Sequence, residues 1–306
     1  MEYFLGLDGG GTETETVIIN DRGKVVGRSM AEGSNATIFG QREAVKRISG
    51  AIFDALNDQK VTIKRSCLAI AGVDTEKTRV KWQTSINNNR ELLAVLSTFR
   101  MVNDTLAALR SGTKEGNAVV IIAGTGSSCY GRRKDGREAK SGGVGHILSD
   151  DGSAYEIGLS ILRNIVRALD GRGPDTILKD LLFEKFQLGS LADLFDLVYE
   201  KPWNKVDIAQ IAPLSKDAVD RNDKIAIQII QKAADDLGEM IKAVVTRLDL
   251  TQKDYTVVTT GSVFKMQILK GFLEKRVKDF SPKVNLVKPS MSSAEAAAFL
   301  ALEGKY

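Results

Sequence analysis

The sequence is poor in the residues that build metal clusters, disulfide frameworks and histidine-based catalytic sites. It has one histidine, His146, and two cysteines, Cys67 and Cys129, in 306 residues. Neither cysteine belongs to a CxxC pair, which excludes a zinc cluster or a disulfide scaffold; we expect two reduced thiols, with one disulfide as the alternative. We expect His146, which lies in an apolar stretch, to be structural.

Long apolar segments and clustered charge are also missing. No run approaches the roughly 18 apolar residues that span a membrane. Asp8 interrupts the N-terminal apolar residues before a signal-peptide core forms. We therefore expect a cytoplasmic protein without a membrane partner. The 43 basic and 39 acidic residues are spread along the chain, so we expect no nucleic-acid partner either.

What the chain does contain is a pattern of strands and turns that occurs twice. An apolar strand at Tyr3–Leu7 runs into a glycine turn, a second β-forming segment, a tight turn and a third strand. The same order begins again at Ala118–Ala123. Three positions correspond with one constant offset: Gly11, Thr12 and Gly23 match Gly124, Thr125 and Gly136. We interpret this as an internal repeat that opens each half with an antiparallel meander.

Helices and further strands are predicted after each meander. In the first half they are a helix over Gln41–Leu56, a strand over Cys67–Ala71, a helix capped by Asp74, a strand over Arg100–Val102 and a helix from Thr105. In the second half they are helices over Ser153–Leu169, Lys224–Leu248, Phe264–Lys278 and Ala294–Leu302, with strands over Tyr255–Thr260 and Val284–Val287. The order of strands and helices therefore predicts, for each half, a mixed sheet covered by helices.

The length and the repeat together predict two domains, at about 150 residues per domain. We place the boundary near Gly116, with a first domain over 1–116 and a second over 117–291. Whether the last helix, about 292–306, packs back on the first domain is left open. The helical stretch 175–220 has no chemical motif, and we interpret it as packing and a dimer surface.

Two glycine-rich turns are candidate phosphate loops. In Asp8-Gly9-Gly10-Gly11-Thr12 the glycines lack Cβ atoms, so backbone N–H groups can close on an anion. Thr12 adds a hydroxyl, and Asp8 can hold a hydrated Mg²⁺. Gly124-Thr125-Gly126-Ser127 is the equivalent loop of the second half. Neither is a Walker motif, and for either loop alone a plain β-turn is the alternative.

Further candidates lie where strands end. Asp104 follows a strand, where a carboxylate can accept a proton during phosphoryl transfer; a helix N-cap is the alternative. Gly261-Ser262 offers a close approach to adenosine, with N-capping as the alternative. The block Gly142–Ala154 combines glycines, the paired Asp150-Asp151 and a capping serine.

Five sequence blocks, taken in their order along the chain, resemble those of the N-acetylglucosamine kinase and BadF/BadG/BcrA/BcrD ATPase family. This family belongs to the actin, hexokinase and Hsp70 superfamily. The blocks that carry the resemblance are Leu7–Thr12, Asn103-Asp104, Ile122–Ser127, Gly142–Ala154 and Thr260–Ser262. The resemblance implies an α/β fold of two actin-like (ribonuclease H-like) lobes with a cleft between them. Each lobe would be a mixed sheet that opens with a three-strand antiparallel meander.

The resemblance also implies ATP and Mg²⁺ as cofactors. Asp8 would hold Mg²⁺ through water, Asp104 would be the catalytic base, and Gly261 and Ser262 would contact adenosine. The implied phosphate ligands are Gly9, Gly10, Gly11, Thr12, Gly124, Thr125, Gly126 and Ser127. The implied sugar ligands are Asn35, Asp104, Thr125, Ser128, Gly143 and Asp150.

The implied activity is transfer of the γ-phosphoryl group of ATP to an amino-sugar hydroxyl, most simply the 6-OH of N-acetylglucosamine, by a homodimer. The sequence departs from the animal enzymes at three sites: Ala36-Thr37 stands where an aromatic residue follows the asparagine, and Ser128 and Val144 replace other residues. Glucosamine and N-acetylmuramic acid kinases are therefore alternatives. Further alternatives are an ATP-driven activator with an iron–sulfur cluster and a non-catalytic nucleotide-binding protein. The contexts of Cys67 and Cys129 do not match those of the activators.

Overall fold

The computed structural model describes residues 1–57, 61–96, 98–114, 116–200 and 202–304. The chain forms two compact units, Met1–Lys114 with Lys288–Tyr306 and Glu115–Val287. Each unit is built on one five-stranded sheet. Among the described helices, none has the length and apolar character that crossing a membrane requires.

The sheet of the first unit has the order β3-β2-β1-β4-β5. Its strands are β1 (Tyr3–Gly9), β2 (Glu13–Asn20), β3 (Val25–Glu32), β4 (Ile63–Ile70) and β5 (Phe99–Asn103). The first three pair antiparallel, β4 runs parallel to β1, and β5 runs parallel to β4. The helices are α1 (Ala36–Phe39), α2 (Gln41–Leu56), α3 (Glu76–Asn87), α4 (Arg90–Val95) and α5 (Asp104–Gly112). The apolar positions of α2 recur at helical spacing and are buried against the sheet.

The second unit repeats this sheet in the order β8-β7-β6-β9-β10. Its strands are β6 (Ala118–Ala123), β7 (Ser127–Arg132), β8 (Glu138–Gly142), β9 (Tyr255–Thr260) and β10 (Val284–Val287). The helices are α6 (Ala154–Leu169), α7 (Leu178–Phe186), α8 (Leu191–Tyr199), α9 (Lys205–Ala209), α10 (Leu214–Asp220), α11 (Lys224–Arg247) and α12 (Gln267–Phe280). The predicted α/β fold of two lobes, each opening with a three-strand antiparallel meander, is confirmed.

The two meanders match at their second turns and differ at their first. At the second turn, Gly23 and Gly136 both have a left-handed φ, and each donates its N–H to the carbonyl three residues earlier. At the first turn, the N–H of Gly10 donates to Glu13 O, whereas the N–H of Gly124 donates to Gly126 O. The first loop is therefore one residue longer, and Gly124 corresponds to Gly10 rather than to Gly11 as the constant offset predicted.

The last helix, α13 (Ser293–Glu303), packs on the sheet of the first unit. It lies so close to β1 that a Cβ added at Gly6 would come within 2.1 Å of Ala294 O and Ala298 N. Alanines on α13 make this approach possible, and Arg110 of α5 forms an ion pair of 2.7 Å with Glu303. The final segment of the chain is therefore part of the first unit's core.

Helix starts differ from the predictions by one residue at α3, α5, α6 and α13, and by three residues at α12. Thr75, not Asp74, caps α3, because its hydroxyl accepts the N–H of Thr78. The predicted helix Phe264–Lys278 is instead a 3₁₀ turn, Ser262–Lys265, followed by α12. In each case the hydrophobic pattern located the helix, but a local hydrogen bond or a tighter turn decides where it begins.

The two cysteines are buried, whereas the one histidine is exposed. Cys67 and Cys129 are both buried free thiols, in the cores of the first and second units respectively. Burial raises the pKa of the Cys67 thiol to about 12. His146 is exposed, and its ring packs edge-on against Tyr155 at 5.1 Å.

Candidate active site

In the first unit, two acidic side chains lie where the parallel strands end. Gly9, Ile70 and Asn103 are neighbours in the register across β1, β4 and β5. Asp8 directly precedes Gly9, and Asp104 directly follows Asn103. The carboxyl ends of parallel strands meet at one edge of a sheet, which is where α/β proteins bind ligands. The fold therefore brings Asp8 and Asp104, 96 positions apart by their residue numbers, to the same edge.

Asp8 is surrounded by like charge. It pairs across the hairpin with Glu15, and like charges directly opposite each other destabilise a sheet. Burial, then the charges of Asp104 and Glu15, raise the pKa of Asp8 to about 7, and a hydrogen bond with Ser293 opposes the shift. Glu15 itself is paired with Arg28 at 2.6 Å. Such a concentration of carboxyl groups costs stability and is typical of a functional site.

The carboxylates at this edge fit a hydrated Mg²⁺ better than a metal caged by protein ligands. Mg²⁺ takes oxygen ligands, keeps several waters and is commonly bound through one or two carboxylates together with substrate phosphates. Within the described ranges, no group of three or more histidine, cysteine, aspartate or glutamate residues is arranged to hold a metal ion. The partly buried carboxyl of Asp8, beside Asp104, supplies the oxygen donors that the cation would need.

The loop after β1 presents two backbone donors. Its ends are closed by hydrogen bonds from Gly10 N–H to Glu13 O and from Gly33 N–H to Thr12 O. Among the described residues, no group accepts a hydrogen bond from the N–H of Gly11 or Thr12. Successive N–H groups in a tight loop attract anions. The packing thus fixes this loop and leaves its tip able to bind a ligand.

Asparagines position the other candidates of the first unit. Asn35 caps α1, because its Oδ1 accepts the N–H of Thr37 at 2.9 Å. Asn103 caps α5 in the same way with Thr105, and its Nδ2 donates to Asp74 at 3.0 Å. Asp104 is therefore the first residue of α5 and not its cap. The alternative interpretation of Asp104 as a helix cap is wrong.

The loop after β6 also presents two backbone donors. Within the described part of the chain, the N–H groups of Thr125 and Gly126 donate to no protein acceptor. Ser127 differs, because its N–H donates to Asp150 at 3.0 Å and its hydroxyl donates to Asp151 O at 2.7 Å. Both donors of Ser127 are engaged inside the protein, so the structure does not support its predicted contact with phosphate.

Gly124 has no packing reason to be glycine. Its φ is not left-handed, and an added Cβ would meet no atom within 4 Å. Gly261 is different, since its φ is +111° and an added Cβ would lie 2.2 Å from Ala123 O. The backbone at Gly261, next to Ser262, therefore packs directly against the residue before the second loop. The structure brings the candidate adenosine and phosphate residues of this unit together.

The remaining candidates of the second unit are also gathered around this loop. An added Cβ at Gly143 would come within 2.8 Å of the Ser128 hydroxyl, which is buried and has no hydrogen-bond partner among the described residues. Asp150 is 3% exposed and has a left-handed φ of +74°. Its Oδ2 accepts a hydrogen bond of 2.6 Å from Lys205. Lys205 is not recognisable from the sequence, because nothing near it distinguishes it from the other lysines of the helical stretch 175–220.

Comparison with known proteins assigns the family. Residues 5–301 match the model of the BadF/BadG/BcrA/BcrD ATPase family. N-acetyl-D-glucosamine kinase of Dictyostelium discoideum is 33% identical, with 99% of each chain covered. N-acetylmuramic acid/N-acetylglucosamine kinase of Clostridium acetobutylicum is 30% identical, with 98% of each chain covered.

A solved structure shares the fold. A crystal structure from Chromobacterium violaceum, described as that of a candidate N-acetylglucosamine kinase, has a TM-score of 0.79 at 20% identity and covers 98% of this chain and 99% of its own. The resemblance inferred from the sequence motifs is confirmed. The chain belongs to the BadF/BadG/BcrA/BcrD ATPase family.

Proposed function

We propose that the protein is an ATP-dependent amino-sugar kinase, which transfers the γ-phosphoryl group of ATP to the 6-OH of N-acetylglucosamine. The observation that carries the proposal is the meeting of Asp8 and Asp104 at the end of the first sheet, beside a loop with open N–H groups. The two full-length relatives, which are named as kinases of amino sugars, support the substrate class.

In this proposal Asp104 accepts the proton of the attacking hydroxyl. Phosphoryl transfer needs little covalent chemistry from a protein, so catalysis consists mainly of positioning and charge stabilisation. The open N–H groups of Gly11, Thr12, Thr125 and Gly126 bind phosphate oxygens. Asp8 holds Mg²⁺ through water, and the cation, when bound, offsets the charge of the phosphates. Gly9, Gly10 and Gly124 let the phosphates approach the backbone.

Other residues complete the proposed substrate sites. Adenosine lies against Gly261 and Ser262. The sugar is bound by Asn35, Asp104, Thr125, Ser128, Gly143 and Asp150. We further propose a cytoplasmic homodimer, with a domain boundary near Gly116 in the sequence and a last helix that belongs to the first domain. The proposed partners are two small molecules, ATP and the amino sugar, and we propose neither a nucleic-acid partner nor a membrane partner.

The choice among amino sugars is tested by coupled ADP release with Mg·ATP. The panel contains N-acetylglucosamine, glucosamine, N-acetylmuramic acid, N-acetylmannosamine, glucose and a control without sugar. We expect N-acetylglucosamine to stimulate ADP release most strongly. Stronger stimulation by glucosamine or by N-acetylmuramic acid would change the assigned substrate to that sugar and would still support the kinase proposal. ADP release that ignores every sugar would contradict the kinase proposal and favour an ATPase or a nucleotide-binding protein.

An iron–sulfur activator is not favoured. A cluster ligand must be a thiolate with access to the metal. Cys67 and Cys129 are both 0% exposed, and burial raises the pKa of each thiol. The purified protein should therefore lack the visible absorbance of an iron–sulfur cluster, including after anaerobic reconstitution with iron and sulfide. A stable cluster that disappears in Cys67→Ser would overturn this conclusion.

A further inference from the structure

A partly buried ion pair lies against the loop after β6, which is the second of the proposed phosphate loops. Lys205 Nζ and Asp150 Oδ2 are 2.6 Å apart, and the other oxygen of Asp150 accepts the N–H of Ser127 at 3.0 Å. A Cβ added at Gly126 would lie 2.7 Å from both Asp150 Oδ1 and Lys205 Nζ. The ammonium, the carboxylate and the loop backbone are therefore in mutual contact, with no space for another side chain.

The burial of this pair sets it apart from an ordinary surface ion pair. The Asp150 side chain is 4% exposed and that of Lys205 is 28% exposed. Lys216 and Asp220, in the same helical stretch, form a pair of 2.8 Å whose side chains are about 60% exposed. Exposed ion pairs of that kind contribute little to the free energy of folding. A buried carboxylate that loses its cation keeps an uncompensated charge, which costs folding free energy.

The backbone that carries Lys205 is held rigidly. Lys205 is the first residue of α9, and Asn204 caps this helix by accepting the N–H groups of Val206 and Asp207. The helix packs on α6 so closely that a Cβ added at Gly158 would come within 2.1 Å of Ile208 O. Because α6 begins only a few residues after Asp150, both partners of the ion pair are attached to the same packed pair of helices.

We infer that Lys205 is a positioning residue for nucleotide binding. By neutralising Asp150 and fixing its carboxylate, Lys205 holds the Ser127 N–H and so keeps the loop at Thr125 and Gly126 in the conformation that presents its N–H groups to phosphate. The inference rests on the proposed use of this loop for ATP. It gives the helical stretch 175–220, which the sequence indicates only as packing and a dimer surface, a part in the proposed site.

The test compares Lys205→Met with Lys205→Arg, and uses Lys216→Met as the matched control. We measure the KM of ATP and of the sugar, and the Kd of ATP without sugar. Losing a hydrogen bond to a charged group corresponds to roughly 10- to 150-fold in binding. We expect Lys205→Met to raise the Kd of ATP, measured without sugar, by a factor in that range; the sugar KM should rise as well, because Asp150 and Thr125 are also proposed sugar ligands. Lys205→Arg should restore most of the affinity, and Lys216→Met should leave it unchanged.

Two outcomes would overturn the inference. They are an ATP Kd without sugar within about twofold of wild type in Lys205→Met, and a Lys205→Arg variant that binds ATP no better than Lys205→Met. If Lys205→Met does not fold, Lys205→Gln, which keeps a donor without the charge, takes its place with the same criteria. The ATP Kd separates this inference from the proposed function: a wild-type protein that binds ATP but phosphorylates no sugar refutes the kinase, and the Lys205 variants still test the loop.

Discussion

The two units share one sheet topology but place different chemistry on it. In the first unit, the end of β1 collects the carboxyl groups of Asp8, Asp104 and Glu15. In the second unit, the carboxylate beside the equivalent hairpin, that of Asp150, is neutralised by Lys205. The first edge therefore suits a cation and a proton acceptor beside its open N–H groups, whereas the second suits an anion alone. The repeat supplies a hairpin loop with open N–H groups in each unit, and the side chains packed beside each loop decide what else binds there.

We expect the largest effect at Asp104, the proposed proton acceptor of the first unit. Loss of a general base typically lowers a rate by 10²- to 10⁴-fold. We expect Asp104→Asn to lower kcat by about that factor while the Kd of ATP changes only a few-fold, because the carboxylate accepts a proton and does not bind the nucleotide.

The matched control for Asp104 is Asp217, which also lies in the first turn of a helix but is exposed. Asp217→Asn should change kcat less than about twofold, as expected of a surface substitution. A kcat of Asp104→Asn close to that of wild type would remove Asp104 from the mechanism and leave the first edge without a base.

Asn35 tests whether the first unit also binds the sugar. Asn35→Ala removes both the α1 cap and the amide donor, whereas Asn35→Asp keeps an oxygen for the Thr37 N–H. If the amide donates to the sugar, both variants should raise the sugar KM by about 10-fold or more, with little change for ATP. Rescue by Asn35→Asp would show that Asn35 only caps α1, and an unchanged sugar KM in both would place the sugar elsewhere.

Gly124 tests the second unit at a position where the fold does not require glycine. Because an added Cβ meets no atom within 4 Å, Gly124→Ala should leave the melting temperature unchanged. The methyl group would stand in the path of a phosphate, so we expect the ATP KM to rise by about 10-fold, or about 1.4 kcal/mol.

Gly271, in the middle of α12, is the control for Gly124, because its added Cβ also meets no atom within 4 Å. Gly271→Ala should stabilise the helix by about 0.5–1 kcal/mol and leave the ATP KM unchanged. Equal ATP KM values in the two variants would mean that nucleotide does not approach the second loop.

The smallest expected effect concerns the charge of Asp8. Its pKa is about 7 in the folded protein and 3.8 without the fold's influence, so between about pH 4 and 7 the folded state holds a proton that the unfolded state releases. The free energy of unfolding should therefore fall as the pH rises through this window, by at most about 1.4 kcal/mol per pH unit from this group. Urea denaturation in EDTA from pH 5 to 8 measures the slope.

Asp8→Asn should lack this part of the slope, and Asp21→Asn, in an exposed turn, should keep it. Parallel curves for wild type and Asp8→Asn would mean that neither burial nor the charges of Asp104 and Glu15 raise the pKa of Asp8, and the contrast between the two edges would lose its electrostatic basis.

Much of the fold follows from local sequence. The helix Gln41–Leu56 and the strands Tyr255–Thr260 and Val284–Val287 have the predicted bounds, because continuous apolar periods and flanking turn residues define them. The cap of α3 was misplaced by one residue, since Asp74 and Thr75 are both good caps and only the geometry chooses between them. The predicted alignment of the two first turns is wrong by one residue. Glycine and threonine recur in both loops, and only the hydrogen bonds show that the loop after β1 has one additional residue.

The candidate site divides in the same way. Glycine loops and strand-end acids are visible in sequence because each is a local pattern with a chemical purpose. Lys205 is not, because it reaches Asp150 across 55 positions. Likewise, burial and the charge of Asp104 raise the pKa of Asp8 and a hydrogen bond with Ser293 lowers it, and these groups approach Asp8 only through strand pairing and the docking of α13.

The sequence by itself determined the family, the repeated meander and the glycine loops, since these depend on residue types at fixed spacing. Only the tertiary structure decided which residues share a site. Burial, like-charge repulsion and ion pairing act over a few ångströms in space, and residues such as Asp8 and Asp104, or Asp150 and Lys205, come within that range only when the sheets and helices are packed.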